Sequence, residues 1–393
     1  MISSEVLLGL PGYEVTGVKV VEGRVRVGTR GLDACLCPRC GSSALRLKDR
    51  RLRRVRHSSI GGRSCELDLE SRKWRCVQCG RTFWERFPGL LPRRRSSEPF
   101  RKSVSQRHWD GISRRRLSVR EGIGSATVER WFHDYLAQEI SKRKGARCPR
   151  VLGIDEHFFS RRDGYATTFC DLAKRKVFDV ALGRSEASLE GYMRRLKGKD
   201  QVQVVCIDLS VAYRSLVRKY FPNARIVADR FHVIRVVNHH FLQCWKQIDP
   251  VGAKSRGLLS LMRRHRRNLR SEEQMARLDA YLAQNPALQT IYGFKQRLCE
   301  LLLVKSRNQR ACRPLAQEFL QTVTQLKDSK LQPLVALGDT LHSWAEEIAT
   351  MWRFTKNNGI TEGFHNKMEA LSRQAYGFRN FENYRMRVRV MCS

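Results

Sequence analysis

Two apolar runs, each closing on an aspartate, constrain the fold of this chain most. Val151-Leu152-Gly153-Ile154 leads into Asp155, and Val202-Gln203-Val204-Val205-Cys206-Ile207 leads into Asp208. Short apolar runs bounded by polar residues are the pattern of buried strands, here delivering an acid to each strand end. Between them, 165–170 and 176–182 alternate as strands, the first after an Arg162-Asp163-Gly164 turn. Leu189, Tyr192, Met193 and Leu196 fall on one face of a helix near 186–196. A helix over about 211–220 and a strand at 224–228 complete the order strand, strand, strand, helix, strand, helix, strand.

Upstream the chain has a different character. Residues 13–20 and 24–27 alternate as two strands around a Glu22-Gly23 turn. Cys37-Pro38-Arg39-Cys40-Gly41 and Cys76-Val77-Gln78-Cys79-Gly80 follow. Each is a knuckle whose thiolates bracket two residues, with a glycine that tolerates positive φ just beyond. Together Cys37, Cys40, Cys76 and Cys79 supply four sulfur ligands for a tetrahedral, structural Zn²⁺ with no open position for chemistry. The 35 residues between Cys40 and Cys76 leave room for a strand at 63–69, which makes a zinc ribbon. Cys35 is close enough to compete for the ligand set. A redox pair or plain core thiols is the blander reading.

The spacer carries Arg50, Arg51, Arg53, Arg54 and Arg56, a stripe expected to grip phosphate rather than serve only as a solvated face. Helical periodicity starts near Glu98 and runs to about Asp110, and a second helix covers 114–121. Gly122-Ile123-Gly124 breaks it, and Ser125 is expected to cap a third helix bearing Val128, Trp131, Phe132 and Tyr135. That is a helix-turn-helix pattern, with Thr127 and Arg130 offered to a major groove, although many helical hairpins mimic it. Lys142 to Arg147 is a basic linker.

The charge supports a polyanionic partner. With 75 Lys and Arg against 38 Asp and Glu, the formal net charge is +37, which points to nucleic acid before an anionic membrane. No apolar run approaches the ~20 residues that span a bilayer, and the start lacks a signal-peptide core. A cytoplasmic protein is expected. In a reducing compartment, paired members of the 13 cysteines suit metal and isolated ones suit the core.

The strand and helix order of 151–228 is that of the ribonuclease-H-like fold, in which the first and fourth strands are neighbours. Asp155 and Asp208 then sit side by side. Thr361-Glu362-Gly363 brings a third carboxylate to the start of a late helix. Clustered Asp and Glu oxygens suit Mg²⁺ (or Mn²⁺) and a two-ion phosphodiester displacement. Taken singly, each acid could equally cap a turn or helix. Glu156 competes with Asp155, but strand alternation sends it to the opposite face. Asp171, Asp179 and Asp229 are the other candidates.

The whole set of motifs resembles transposases of the ISL-three family of bacterial insertion sequences, within the DDE group. The residues that carry the resemblance are the two cysteine knuckles, Gly153-Ile154-Asp155-Glu156, Cys206-Ile207-Asp208-Leu209-Ser210, Ala228-Asp229-Arg230-Phe231-His232-Val233 and Asn357 to Gly363, continuing to Phe381. The resemblance implies catalytic acids at Asp155, Asp208 and Glu362. It also implies an accessory Asp-x-x-His element at Asp229 and His232, which either assists at the scissile phosphate or holds the helix start. It implies binding of double-stranded DNA, both terminal inverted repeats and target, followed by cleavage and strand transfer by a homodimer in the bacterial cytoplasm at the nucleoid. A catalytically silent DNA-binding regulator or domesticated transposase is the rival; a structure-specific nuclease is a third reading.

The expected organisation is multidomain, mixing α+β and α/β parts. A β-rich lead-in and zinc ribbon occupy 1–92, and a helix-turn-helix domain 93–148. The first part of the core covers 149–235, a helical insertion 236–355, and a C-terminal catalytic helix 356–393. The 154-residue step from Asp208 to Glu362 demands the insertion. Its apolar stripes include Leu298, Leu302, Phe319, Val323, Leu337, Leu341 and Trp344. Trp344 and Trp352 are expected to be buried rather than stacked on a base. Within it, Arg263, Arg264, Arg266 and Arg267 are expected to contact phosphate.

Overall fold

The computed structural model describes residues 8–31, 35–142, 147–306, 308–354 and 359–392. Residues 143–146 of the expected linker and Asn357-Asn358 ahead of Glu362 lie outside the described residues. Contacts divide the chain into two units, Met1–Lys142 and Arg143–Ser393.

The first unit opens with β1 (Tyr13–Val21) and β2 (Arg24–Gly31), joined through Glu22 and Gly23 at φ of 50° and 74°. Positive φ at both turn residues matches the twist of the strands it joins. The cysteine spacer holds far more strand than alternation suggested: β3 (Leu45–Ile60) and β4 (Arg63–Cys76) form one long hairpin. The order is β1-β2-β4-β3, with β2 and β4 parallel and β5 (Thr82–Trp84) against β4. The arginine stripe is therefore a strand. Its period of two still sends Val55 and His57 into a core with Val27, Leu67, Leu69 and Tyr13.

Three helices follow: α1 (Glu98–Trp109), α2 (Arg114–Glu121) and α3 (Ser125–Ser141). The Ser97 and Ser113 side chains accept the Phe100 and Arg116 backbone N–H groups, caps worth about 1 kcal/mol each. Ser125 does not cap α3 as expected. It is the first helical residue, and Gly124, without a capping side chain, holds the N-cap position. Left-handed Gly122 (φ 61°) ends α2, leaving only Ile123 and Gly124 between the helices. Phe100, Val104, Leu117, Val128 and Trp131 close the helical core.

The second unit is built on β6 (Val151–Ser160), β7 (Gly164–Asp171), β8 (Lys176–Leu182), β9 (Val204–Ile207) and β10 (Arg225–Ala228), in the order β10-β9-β6-β7-β8. The first and fourth strands are parallel neighbours. One expectation needs correcting: Asp155 is not at a strand end. β6 runs on to Ser160 through its hairpin with β7, and only its pairing with β9 stops at Gly153. Helices α4 (Glu186–Arg195) and α5 (Val211–Tyr220) connect the strands.

A single helix, α6 (Arg230–Ile248), runs through the expected boundary at 235/236. Beyond it come α7 (Arg256–Arg263), α8 (Glu272–Ala283), α9 (Pro286–Leu303), α10 (Gln309–Lys327), α11 (Gln332–Ser343) and α12 (Ala345–Arg353). Phe319, Leu341 and Trp352 share one core with the sheet residues Ile154, Phe169 and Val205. Phe241, Trp245, Leu278 and Leu288 form a separate cluster. Trp344 and Trp352 are 3% and 0% exposed, and the Trp352 indole donates to the Leu301 carbonyl at 2.8 Å.

The chain closes with α13 (Gly359–Gln374), carrying Glu362 in its first turn, and α14 (Phe381–Met391). The latter is tied to β8 by a two-pronged Arg385–Asp179 pair at 2.8 and 2.7 Å. The Val177 N–H to Cys392 carbonyl bond, 2.7 Å, fastens its end. No described helix is long and apolar enough to cross a membrane.

Candidate functional site

The cysteine quartet assembles as the spacing requires. Cys37 and Cys79 sulfurs lie 3.5 Å apart, Cys40 and Cys76 sulfurs 3.6 Å, and all four ligand atoms fall within 4.8 Å of one another. Bonds of about 2.3 Å from a central Zn²⁺ to four thiolates demand such separations. Gly41 and Gly80 take φ of 73° and 70°, and their N–H groups turn back to the Cys37 and Cys76 carbonyls. Cys35 lies outside the quartet, and burial followed by the Glu85 carboxylate pushes its pKa up.

The acids gather in the second unit. The β6–β9 register ends at Gly153 opposite Cys206, and the β9–β10 register at Ile207 opposite Ala228. Continuing each by a residue or two brings Asp155, Asp208 and Asp229 to one level across three adjacent strands. The Asp229 N–H donates to the Ile207 carbonyl at 2.6 Å, fixing the start of α6 beside Asp208.

The gathering has an electrostatic consequence. Asp155, 8% exposed, has its pKa pushed up to about 7 by burial, then by the charges of Asp208, Asp229 and Glu156. Asp208 is raised to about 6 by burial, then by Glu156. Its Oδ1 is buried without a hydrogen-bond partner. An unpaired hard oxygen among mutually repelling carboxylates is a donor set that a divalent cation satisfies. Among the described residues, however, only the cysteine quartet forms a group of three or more His, Cys, Asp or Glu side chains close enough together to hold a metal ion.

A cleft of about 470 Å³ opens beside them, lined by Glu156, Arg184, Ser185, Asp208, Leu209, His232 and Arg235 among others. The His232 ring stands 3.7 Å (Nε2 to Oδ2) from Asp229, and burial, then Arg235, lowers its pKa. Glu362 acts on the same ring with the opposite sign, so the late helix brings its carboxylate within electrostatic reach of the cleft. The remaining acids have structural work. Asp171 accepts the Ala173 and Lys174 N–H groups, and Asp179 pairs with Arg385.

Sequence reasoning missed three cleft residues. Glu156, set aside by strand alternation, lines the cleft with Asp208 and pairs with Arg184 at 3.2 Å. Arg235 stands three residues beyond His232 on α6, a same-face spacing that was readable. Arg184, just before α4, carried no signal.

The expected DNA-contacting arginines divide. Arg56 donates to the Glu121 carbonyl at 2.7 Å, and Arg53 to the carbonyls of Leu91 and Arg94, so both bind their own unit. Arg50 and Arg54 pair with Glu70 and Asp68 at 3.2 and 3.1 Å on the open face, and Arg51 stacks 3.9 Å over Trp84. Arg130 is exposed and reaches the Thr127 hydroxyl, 3.4 Å. Arg266 is held by Asp279 at 2.7 and 2.6 Å and Arg267 by Glu300 at 3.4 Å, whereas Arg263 and Arg264 are exposed. Buried Lys295 donates to the carbonyls of Met262, Arg263 and Arg264 (2.6, 3.4 and 3.2 Å), fixing the backbone of that cluster.

Residues 152–388 match a family model described as transposase, and residues 19–79 one described as the zinc-finger of transposase IS204/IS1001/IS1096/IS1165. The transposase for insertion sequence element IS1001 of Bordetella parapertussis is 25% identical over 410 residues, taking in 99% of this chain and 98% of that protein. Since the first match alone spans more than half of the sequence, the chain belongs to the ISL-three family of insertion-sequence transposases.

Proposed function

We propose that this transposase cuts and joins DNA at acids Asp155, Asp208 and Glu362 on a ribonuclease-H-like core. The observation that carries the reading is the row of Asp155, Asp208 and Asp229 across neighbouring strands, with Asp208 Oδ1 buried and unpaired. The sheet order and the parallel first and fourth strands support the fold assignment. Asp155, Asp208 and Glu362 would hold Mg²⁺ or Mn²⁺, hard cations that take carboxylate oxygens. Bound there, such ions supply Lewis-acid stabilisation of the entering and leaving oxygens of an in-line displacement.

The side chains account for the rest. Arg184 and Arg235 on the cleft wall take the phosphate of the scissile strand and orient it. Asp229 orients His232, whose ring is kept neutral by burial and so can accept a proton at the cleft. Water attacks first and leaves a 3′-hydroxyl at the element end. That hydroxyl then attacks a target phosphodiester, expelling the next 3′-oxygen. Terminal repeats are read by the ribbon and by a helix-turn-helix unit with Thr127 and Arg130 on its second helix. Arg50, Arg51, Arg54, Arg263 and Arg264 add phosphate contacts. Two protomers hold the two ends in the bacterial cytoplasm.

The test uses duplex carrying the element's terminal repeat, a branched duplex and an unrelated duplex, each with Mg²⁺, Mn²⁺ or chelator. Metal-dependent nicking at the repeat end, with a joined product, is the expected outcome. Binding without cutting would make the protein a regulator. Cutting of branched DNA without repeat preference would make it a structure-specific nuclease.

A further inference from the structure

We infer that a buried hydrogen-bond chain, Tyr384–His157–Thr168–His365, sets the position of the helix that carries Glu362, making these four positioning residues for the acid site. The inference rests on the reading of Glu362 given above.

The chain crosses four elements. The Tyr384 hydroxyl on α14 lies 2.7 Å from His157 Nε2 on β6, and His157 Nδ1 lies 2.9 Å from Thr168 Oγ1 on β7. Thr168 Oγ1 is in turn 3.2 Å from His365 Nε2 on α13. The two imidazole centroids are 5.1 Å apart. In the sense Tyr384 to His365, the Tyr384 O–H, the His157 Nδ1–H and the Thr168 O–H each meet one acceptor, whereas the reverse sense leaves the Tyr384 O–H without an acceptor in the chain. Thr168 and Tyr384 are essentially inaccessible, so an unmade bond here leaves a polar group without water.

The placement of the chain ties it to the acids. Thr168 stands directly opposite Asp155 in the β6–β7 register. His157 follows Asp155 by two residues on the same strand, hence on the same face. His365 follows Glu362 by three residues, one turn along α13, and Thr361 just before Glu362 is fully buried. None of the four lines the cleft.

Apolar packing alone, through Phe364, Met368 and Leu371, would hold α13 to the unit but resist sliding and rotation weakly. A shift of one residue rotates a helix by about 100° and moves it about 1.5 Å, enough to carry Glu362 away from the cleft. Misplacement by about 1 Å can remove about a hundredfold in rate. Directional bonds from the strand pair that bears Asp155 to the helix that bears Glu362 fix that degree of freedom.

The test compares Thr168→Val, which keeps the shape but removes the hydroxyl, with Thr168→Ser, which restores it, and uses Tyr384→Phe as the milder second lesion. Three quantities are read on the full chain: amide exchange over 359–374 without metal, Mn²⁺ affinity by calorimetry, and kcat and KM on repeat-end DNA. Thr168→Val is expected to exchange about tenfold faster across α13, to bind Mn²⁺ more weakly and to lose kcat at unchanged KM, with Thr168→Ser near wild type. Tyr384→Phe should move all three in the same direction, less far, and decides the matter should Thr168→Val not fold. Unaltered exchange across α13 in the variants that fold overturns the inference. So does equal loss in Thr168→Ser and Thr168→Val. Should the exchange result hold while the wild type neither binds Mn²⁺ nor cuts, the metal reading of Glu362 fails and the clamp stands.

Discussion

His57 illustrates how burial biases the protonation of a single side chain here. Its ring is 2% exposed, and its Nδ1 lies 2.8 Å from the Ser97 hydroxyl, which already accepts the Phe100 N–H as the cap of α1. A hydrogen bond with the Leu8 backbone also holds the ring. Burial lowers the His57 pKa below its value of about 6.5 in an unfolded chain. Below pH 6.5 the unfolded state then binds the extra proton and the folded state resists it, so stability falls as pH falls. Melting of the full chain at pH 5, 6 and 7 should show that slope in the wild type and a shallower one in His57→Gln. Parallel slopes would contradict the assignment. At this scale the sequence was informative where chemistry and spacing coincide, as in the cysteine quartet and the aspartates that close apolar runs. It was silent on Arg184 and misleading on Glu156. A residue's distance from a cleft depends on how a strand extends past its neighbour, which no local pattern records.

Elements were legible where periodicity was clean. The strand at 176–182 and the helices at 114–121 and 211–220 lie where the pattern puts them. The long strand β3 was hidden because its arginines dominate the eye, although the alternation that buries Val55 and His57 was present. The joint between α5 and the later helices could not be read at all, because it depends on contacts across 129 residues of chain. There the Arg214 guanidinium lies 3.4 Å over the Trp344 ring and 3.0 Å from Glu347, whose side chain is 4% exposed. Arg218, the other cation near Glu347, is 3.6 Å away and mostly solvated. Removing Arg214 leaves a buried carboxylate with a weak partner, a class of lesion that costs about 3 kcal/mol. Arg214→Ala should lower the denaturant midpoint of the second unit accordingly, with no loss of zinc. A change under about 0.5 kcal/mol, the size of an ordinary surface substitution, would show that Trp344 packing alone holds the joint.

On the scale of the whole molecule, a net charge of +37 and a cysteine-built zinc ribbon serve a protein that must find and hold a polyanion. The acid row gathers carboxylates against that background, and burial together with their mutual repulsion raises two pKa values. A cation there would resolve the repulsion, and this is the ground for proposing the chemistry in this row rather than in a basic patch. The family and its sheet order were legible because separate motifs occur in a fixed order. The segment 236–355 was foreseen only as a helical insertion, whereas part of the core of its helices is continuous with that of the sheet. The measurement that tests the central claim most directly is cleavage and joining of labelled terminal-repeat DNA in Mg²⁺, wild type against Asp155→Asn. Asn keeps the shape and removes the charge that a divalent cation needs. The account predicts cutting at the repeat end by the wild type and its disappearance in the variant, with DNA binding retained. Undiminished cutting by Asp155→Asn would contradict it.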